Sequence, residues 1–200
     1  MSLAKRVLMR AFGHPSGILG RLGGIIMART NRKTATWAID RLDVQPDDSV
    51  LEVGFGPGVG IQLLAQAVVT GRVAGVDCSD EMLVQATARN AQAIAARRVD
   101  IRRGSVERLP FDDNTFQKAL AINSLQVWPD AMAGLREIRR VMKIGGTVAL
   151  CFNPHSRQPQ HGLVELLMAA GFADAHVDVK DGDFCALARK PSAGDPRERL

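Results

Sequence analysis

The sequence predicts an α/β fold: a doubly wound, mostly parallel seven-stranded sheet with an antiparallel last strand and an N-terminal helical extension. Three observations predict it. From residue 46 onward, short apolar runs alternate with stretches of helical period, the pattern of parallel strands joined by helical crossovers and covered on both faces. The last two apolar runs are instead joined by the tight turn Lys180-Asp181-Gly182-Asp183, which suits a hairpin. Ahead of residue 46 the periodicity is helical alone.

In chain order, Leu3, Ala4, Val7, Leu8, Ala11 and Phe12 fall on one arc of a helical wheel, opposite Lys5, Arg6 and Arg10. Gly13, Pro15 and Gly17 end that helix. The apolar stretch Ile18 to Met27 is interrupted by Gly20, Gly23 and Gly24, which weaken a helix and supply a hinge. Thr30 or Asn31 caps a third helix reaching Leu42, with Ala35, Ala38, Ile39 and Leu42 as its buried stripe. Then come a strand over Ser49 to Val53, a helix over Val59 to Val69, and a strand from Val73 to Val76 ending at Asp77. A single helix is expected from Ser79 to about Ala95. Strands follow over Val99 to Arg102 and Phe116 to Ile122, a helix over Ala131 to Met142, and a strand over Thr147 to Phe152. A helix over Leu163 to Ala170 stops at Gly171, and Ala175 to Val179 and Phe184 to Ala188 form the hairpin. The expected organisation is a helical arm or lid over 1–45, an α/β domain over 46–190, and a disordered polar tail over 191–200.

Composition narrows the function classes. Apolar residues at 46% and charged residues at 24% are those of a globular chain. No apolar run approaches the roughly 20 residues needed to cross a bilayer, and no secretory h-region follows the first basic residues. Cys78, Cys151 and Cys185 are odd in number, widely spaced and without a CxxC pair. That pattern argues against a disulfide framework or a zinc cluster and for a reducing, cytoplasmic setting, with no metal. The net charge of +5 is uneven: residues 1–34 hold seven Lys/Arg and no acid, leaving 19 basic against all 21 acidic residues in the rest. The basic surface therefore belongs to the arm, and the body carries a net −2.

The segment Glu52-Val53-Gly54-Phe55-Gly56-Pro57-Gly58-Val59-Gly60 joins the first strand to its helix. In an open parallel sheet, ligands bind at the carboxyl ends of the strands. Glycines there let the backbone turn sharply and approach a ligand without Cβ atoms in the way. Asp77, 19 residues after Gly58, ends the second strand where it can accept from a ribose diol. Two features separate the segment from a dinucleotide site: Val59 stands where GxGxxG needs glycine, and Glu52 precedes the first glycine by two residues. A carboxylate repels a pyrophosphate and attracts an ammonium or sulfonium. The charge logic favours a cationic nucleoside.

On these residues the sequence resembles the class I S-adenosylmethionine (SAM)-dependent methyltransferases, and within them the broad group that contains the ubiquinone/menaquinone-type C-methyltransferases. The resemblance runs through Val50 to Gly58, Val76-Asp77 with Ser79 to Met82, Gly104 to Phe116, Val127-Trp128-Pro129-Asp130, and Arg136 to Gly146, in order and at matching spacing. It implies the Rossmann-like methyltransferase fold and SAM as cofactor. Glu52, Gly54 and Gly56 would hold the methionyl part, Phe55 and Gly58 of the same loop would also bind the cofactor, and Asp77 would take the ribose hydroxyls. Cys78 or Met82 would pack on the adenine, Ser105 and Val106 would contact its edge, and Asn123 would close over the amino acid moiety. Two departures stand out: Ser105 occupies a position usually acidic, for which Glu107 is a substitute, and Gln117 replaces a common Asp.

Methyl transfer is an in-line displacement at an already activated carbon, so the protein contributes mainly alignment, worth on the order of 7–11 kcal/mol. A base is needed only when the acceptor must lose a proton. His155 is the candidate; His14 is a weaker one, and His161 and His176 read as surface or packing residues. Asn123-Ser124-Leu125-Gln126 lies on the acceptor side and is not the Asn-Pro-Pro-aromatic sequence of amino-methylating DNA and glutamine enzymes. Trp128 either walls a pocket or packs. The arm is a mobile lid, a helix packed on the sheet, or a basic amphipathic helix in peripheral contact with a membrane. The expected function is methyl transfer to a small-molecule or lipid-like acceptor. Alternatives are an RNA-directed methyltransferase using the basic arm and a non-catalytic SAM-binding module. The absence of Tyr, with only two Trp and seven Phe for base stacking, counts against nucleic acid. A nicotinamide oxidoreductase is disfavoured by Glu52 and Val59.

Overall fold

In a computed structural model, residues 32–192 are described. The helices and hinge expected over 1–27, the Thr30 and Asn31 caps, and residues 193–200 of the tail lie outside the described residues. The elements are α1 (32–41), β1 (Ser49–Val53), α2 (Val59–Ala67), β2 (Arg72–Asp77), α3 (Asp80–Arg89), α4 (Ala91–Ala95), β3 (Val99–Arg103) and β4 (Phe116–Ile122). They continue with α5 (Ala131–Val141), β5 (Met142–Phe152), α6 (Leu163–Ala169), β6 (Ala173–Lys180) and β7 (Asp183–Arg189). The seven strands form one sheet in the order β3-β2-β1-β4-β5-β7-β6. The first five are parallel; β7 runs antiparallel to both β5 and β6.

Alternation along the strands builds two cores. Val148, Leu150 and Phe152 of β5, with Ala119 and Ala121 of β4, face Leu135 and Ile138 of α5 and Leu163 and Leu167 of α6. The intervening Ala149 and Cys151, with Leu120 and Ile122, face the other layer, made by α1, α2 and α3. Period-2 strands buried on both sides are what a doubly covered parallel sheet requires. Helix α1 is part of that layer: Ala35, Ala38 and Leu42 are fully buried. Its start is pinned to the hairpin by Thr34 Oγ1, which donates to Asp183 Oδ2 at 2.7 Å. Two exposed ion pairs, Lys33 with Asp181 and Arg41 with Asp178, lie along the same contact.

The structure departs from the expected elements in three places. The helix expected from Ser79 to Ala95 is broken at Asn90, whose Nδ2 donates to the carbonyls of Gly58 and Ala86. Strand β5 begins at Met142, not Thr147, because Gly145 and Gly146 are carried within the strand: Gly146 lies so close to the Gln117 carbonyl that no side chain would fit. The third concerns the cysteines. Cys151 and Cys185 stand directly opposite one another in the β5·β7 register and are joined by a disulfide, which corrects the expectation of three reduced thiols. Their separation of 34 residues hid a pairing that only the antiparallel register creates. Gln117, unexplained in the sequence, plays a structural part. Its Oε1 accepts from Ser49 N at 3.0 Å and fixes the start of β1 beside β4.

Candidate active site

The carboxyl ends of β1, β2 and β4 open into a cleft of about 200 Å3. Its floor is the turn after β1, where Gly54, Gly56 and Gly58 all take positive φ angles of 73°, 51° and 79°. At Gly54 the requirement is double, since a Cβ there would also sit 2.5 Å from that of Ser124. The turn is tied to both neighbouring strands: Gly54 N donates to the Val76 carbonyl at 2.7 Å, and Ser124 Oγ to the Val53 carbonyl at 3.0 Å.

Glu52 is the unusual residue of this floor. It is buried, its neighbour in α2 is Gly60, and a Cβ on Gly60 would overlap the carboxylate. Oε2 has no hydrogen-bond partner. Burial, together with the nearby charge of Asp77, pushes its pKa up to about 8, against a lowering contribution from the Ile61 backbone N–H. A buried acid with one oxygen unpaired, at the mouth of a glycine turn, fits the cation of a ligand. Asp77, at the end of β2, accepts from Gly56 N through Oδ2 and from Ser79 N through Oδ1, both at 2.9 Å. Through these two bonds Asp77 orders the turn at the edge of the cleft.

The structure brings ten of the sequence-derived cofactor residues to the cleft wall: Glu52, Gly54, Phe55, Gly56, Asp77, Cys78, Met82, Ser105, Val106 and Asn123. Gly58 is off the wall and instead allows the turn to pack on Ala86 of α3. Glu107 is exposed and also off the wall; its N–H donates to Ser105 Oγ at 3.2 Å. Burial and the charge of Asp77 raise the Cys78 thiol, so it is not an activated thiolate. Asn123 ends β4 with φ 50°, and its Oδ1 accepts from Asn153 N at 3.0 Å.

His155 is not brought to the cleft. It is exposed, in the short turn Pro154–Ser156, with its backbone N–H donating to Asn153 Oδ1. Trp128 combines both of its readings: it lines the cleft and packs against Gly134, where a Cβ would meet the indole at 2.9 Å. Sequence reasoning missed Ala35, which carries α1 to the cleft wall. Its place in the buried stripe of that helix was visible, but which part of the sheet the stripe would cover was not. Among the described residues no group of His, Cys, Asp or Glu is arranged to hold a metal ion, and no helix is long and apolar enough to cross a membrane.

Comparison with known proteins agrees with this geometry. A family model described as a methyltransferase domain matches residues 50–146. An uncharacterized methyltransferase of Bacillus subtilis, YdaC, is 30% identical over 183 residues, covering 86% of this chain and 99% of that one. The demethylmenaquinone methyltransferase of Bacillus cereus strain B4264 is 37% identical over 108 residues, which span 54% of this chain and only 45% of that enzyme. Among solved structures, a SAM-dependent methyltransferase from Aquifex aeolicus superposes with a TM-score of 0.72 at 19% identity, covering 80% of this chain and 93% of that one.

Proposed function

Since the chain belongs to the class I SAM-dependent methyltransferases, we propose that it methylates a small apolar or amphiphilic acceptor, seated between the cleft and the entry of α1. The observation that carries the cofactor side is Glu52: a buried carboxylate with an unpaired oxygen, held under Gly60, at the turn between β1 and α2. Its likeness to demethylmenaquinone methyltransferases, over less than half of their length, supports a lipophilic acceptor.

SAM, when bound, supplies a methyl group on a sulfonium that is already a good leaving group. The chain's residues do the rest. Glu52 takes up the positive charge of the amino acid moiety, in its ionised form. Asp77 accepts from the ribose hydroxyls, and Phe55, Met82 and Val106 supply the apolar walls of the adenine end. Asn123, held by its bond to Asn153, closes the methionyl end. Ala35 brings α1 to the cleft wall, on the side where we seat the acceptor. Among the described residues no His stands on the wall, and His14 lies outside them; the described residues are assigned alignment and exclusion of water.

Calorimetric titration with S-adenosylhomocysteine tests the cofactor reading. The expected result is binding by the native chain and a loss of at least about tenfold in Glu52→Gln, since a charge-assisted bond is worth roughly 1.5–3 kcal/mol. No binding by the native chain, or unchanged binding by Glu52→Gln, overturns the assignment.

A further inference from the structure

Strand β3 is an edge of the sheet, paired only with β2 among the described residues. At its two ends the Val73 N–H donates to the Arg98 carbonyl and the Gly104 N–H to the Asp77 carbonyl, both at 2.9 Å. Successive residues of a parallel strand turn their backbone groups to opposite sides. Asp100 and Arg102, in step with Arg98 and Gly104, therefore face β2. Val99, Ile101 and Arg103 hold their N–H and C=O groups outward. A hollow of about 610 Å3 runs beside the strand, walled by Thr87 and Ile94 from one layer and by Phe111 and Phe116 from the other. Such an edge is a template for another strand.

Charge on an edge strand ordinarily keeps other strands away. Here the order of the charges does the opposite for one partner, a second copy of the same strand. In an antiparallel pair the outward residues must face outward residues, which restricts the register. Centring the two-fold axis on Asp100 or on Arg102 sets that residue opposite its own copy, like charge against like. Centring it on Ile101 sets Asp100 opposite Arg102 of the second copy, and Arg102 opposite its Asp100. That register also engages all five residues of β3. The two charged positions become the pairs without backbone bonds between them, where facing side chains come closest. Within one chain Arg102 Nη2 already meets Asp100 Oδ2 at 2.6 Å, and both side chains remain about half-exposed. A carboxylate and a guanidinium each hold bonding capacity for a second partner. Arg103, the third charge of the strand, is drawn aside to Asp80 at 3.0 Å.

We propose that two copies of the chain associate through their β3 edges, antiparallel and centred on Ile101, into one continuous sheet. Ile101 exchanges both backbone bonds with its own copy on the axis, and Val99 does so with Arg103 of the second copy. The Asp100 and Arg102 side chains of both copies close into a neutral set of four. The surface is self-complementary, as a closed two-fold interface requires. The proposal goes beyond the methyltransferase reading and does not depend on it.

Sedimentation equilibrium of the full chain across the micromolar range is expected to show a species of twice the mass of one chain. Asp100→Arg alone and Arg102→Asp alone set like charges opposite each other, and each should weaken association by about tenfold or more. Mixed in equal amounts, the two variants have opposite charges at both facing positions and should associate with each other within about threefold of the native affinity. If a variant fails to fold, hydrogen exchange on the native chain decides. Raising its concentration should slow exchange at the amides of Val99, Ile101 and Arg103, and leave those of Asp100 and Arg102, already turned to β2, unchanged. A native chain that stays a monomer leaves the edge to a different protein and overturns the proposal. So does a dimer that both single variants keep, a mixture of the folded variants that does not associate, or exchange at the outward amides that ignores concentration.

Discussion

Glu52 ties stability to pH because its carboxyl is held neutral in the fold to about pH 8, whereas in the unfolded chain it ionises near its ordinary 4.5. Between those values the folded state binds the extra proton, so stability falls as pH rises from about 4.5 through 8 and levels off above. Full burial makes the effect on the order of 3–5 kcal/mol. Denaturant unfolding at pH 5.5 and 8.5 should show native protein losing stability at the higher pH, and Glu52→Gln losing much less. Equal slopes in the two proteins would place the titrating group elsewhere. A cation bound at Oε2 would stabilise the ionised form, so the residue that weakens the fold at neutral pH is the one we propose to hold the cofactor's positive charge. The residue was legible in the sequence as an acid before glycines; its neutrality was not, since that depends on α2 and Asp77 closing over it.

At the scale of elements, α1 shows what pattern reading supplies and where it stops. The stripe of Ala35, Ala38, Ile39 and Leu42 reads directly as a buried face; Ala35, Ala38 and Leu42 are buried and Ile39 is half-buried. That the same helix would be fastened by Thr34 to Asp183 was invisible, because the partners lie 149 residues apart and neither has an unusual neighbourhood in sequence. Thr34→Val keeps the shape and removes the hydroxyl, leaving a buried carboxylate oxygen without that donor. A loss of about 1–3 kcal/mol is expected, seen as a lower urea midpoint with unchanged slope. An unchanged midpoint would mean that water replaces the hydroxyl. The break at Asn90 has the same origin: the helical period continues to Ala95, but Asn90 spends its side chain on the carbonyl of Gly58 in the glycine turn. Local periodicity does not encode a bond to another element.

For the whole molecule, the parallel run of the first five strands, the double coating and the hairpin were all readable from alternation and turn residues, whereas the β5·β7 register, and with it the disulfide, was not. The bridge closes a loop of 34 residues between two core strands. Its removal should cost roughly 3–4 kcal/mol on the loop-entropy scale. Thiol titration in denaturant without reductant should count one free cysteine, Cys78, and reduction should lower the unfolding midpoint. Three titratable thiols in freshly prepared protein would show that the bridge is absent in solution. The position of β7 has a further consequence. It is the last of the described strands, yet it lies inside the sheet, with β6 hanging on its outer edge. During synthesis β6 emerges from the ribosome first and has no strand to join until β7 follows, and α1, made long before, must wait for the same hairpin to receive Thr34. A chain without the residues from Asp183 onward would expose the flank of β5 and leave Thr34 without its partner, so the strand that joins last is the one that shields the sheet from edge-to-edge clumping.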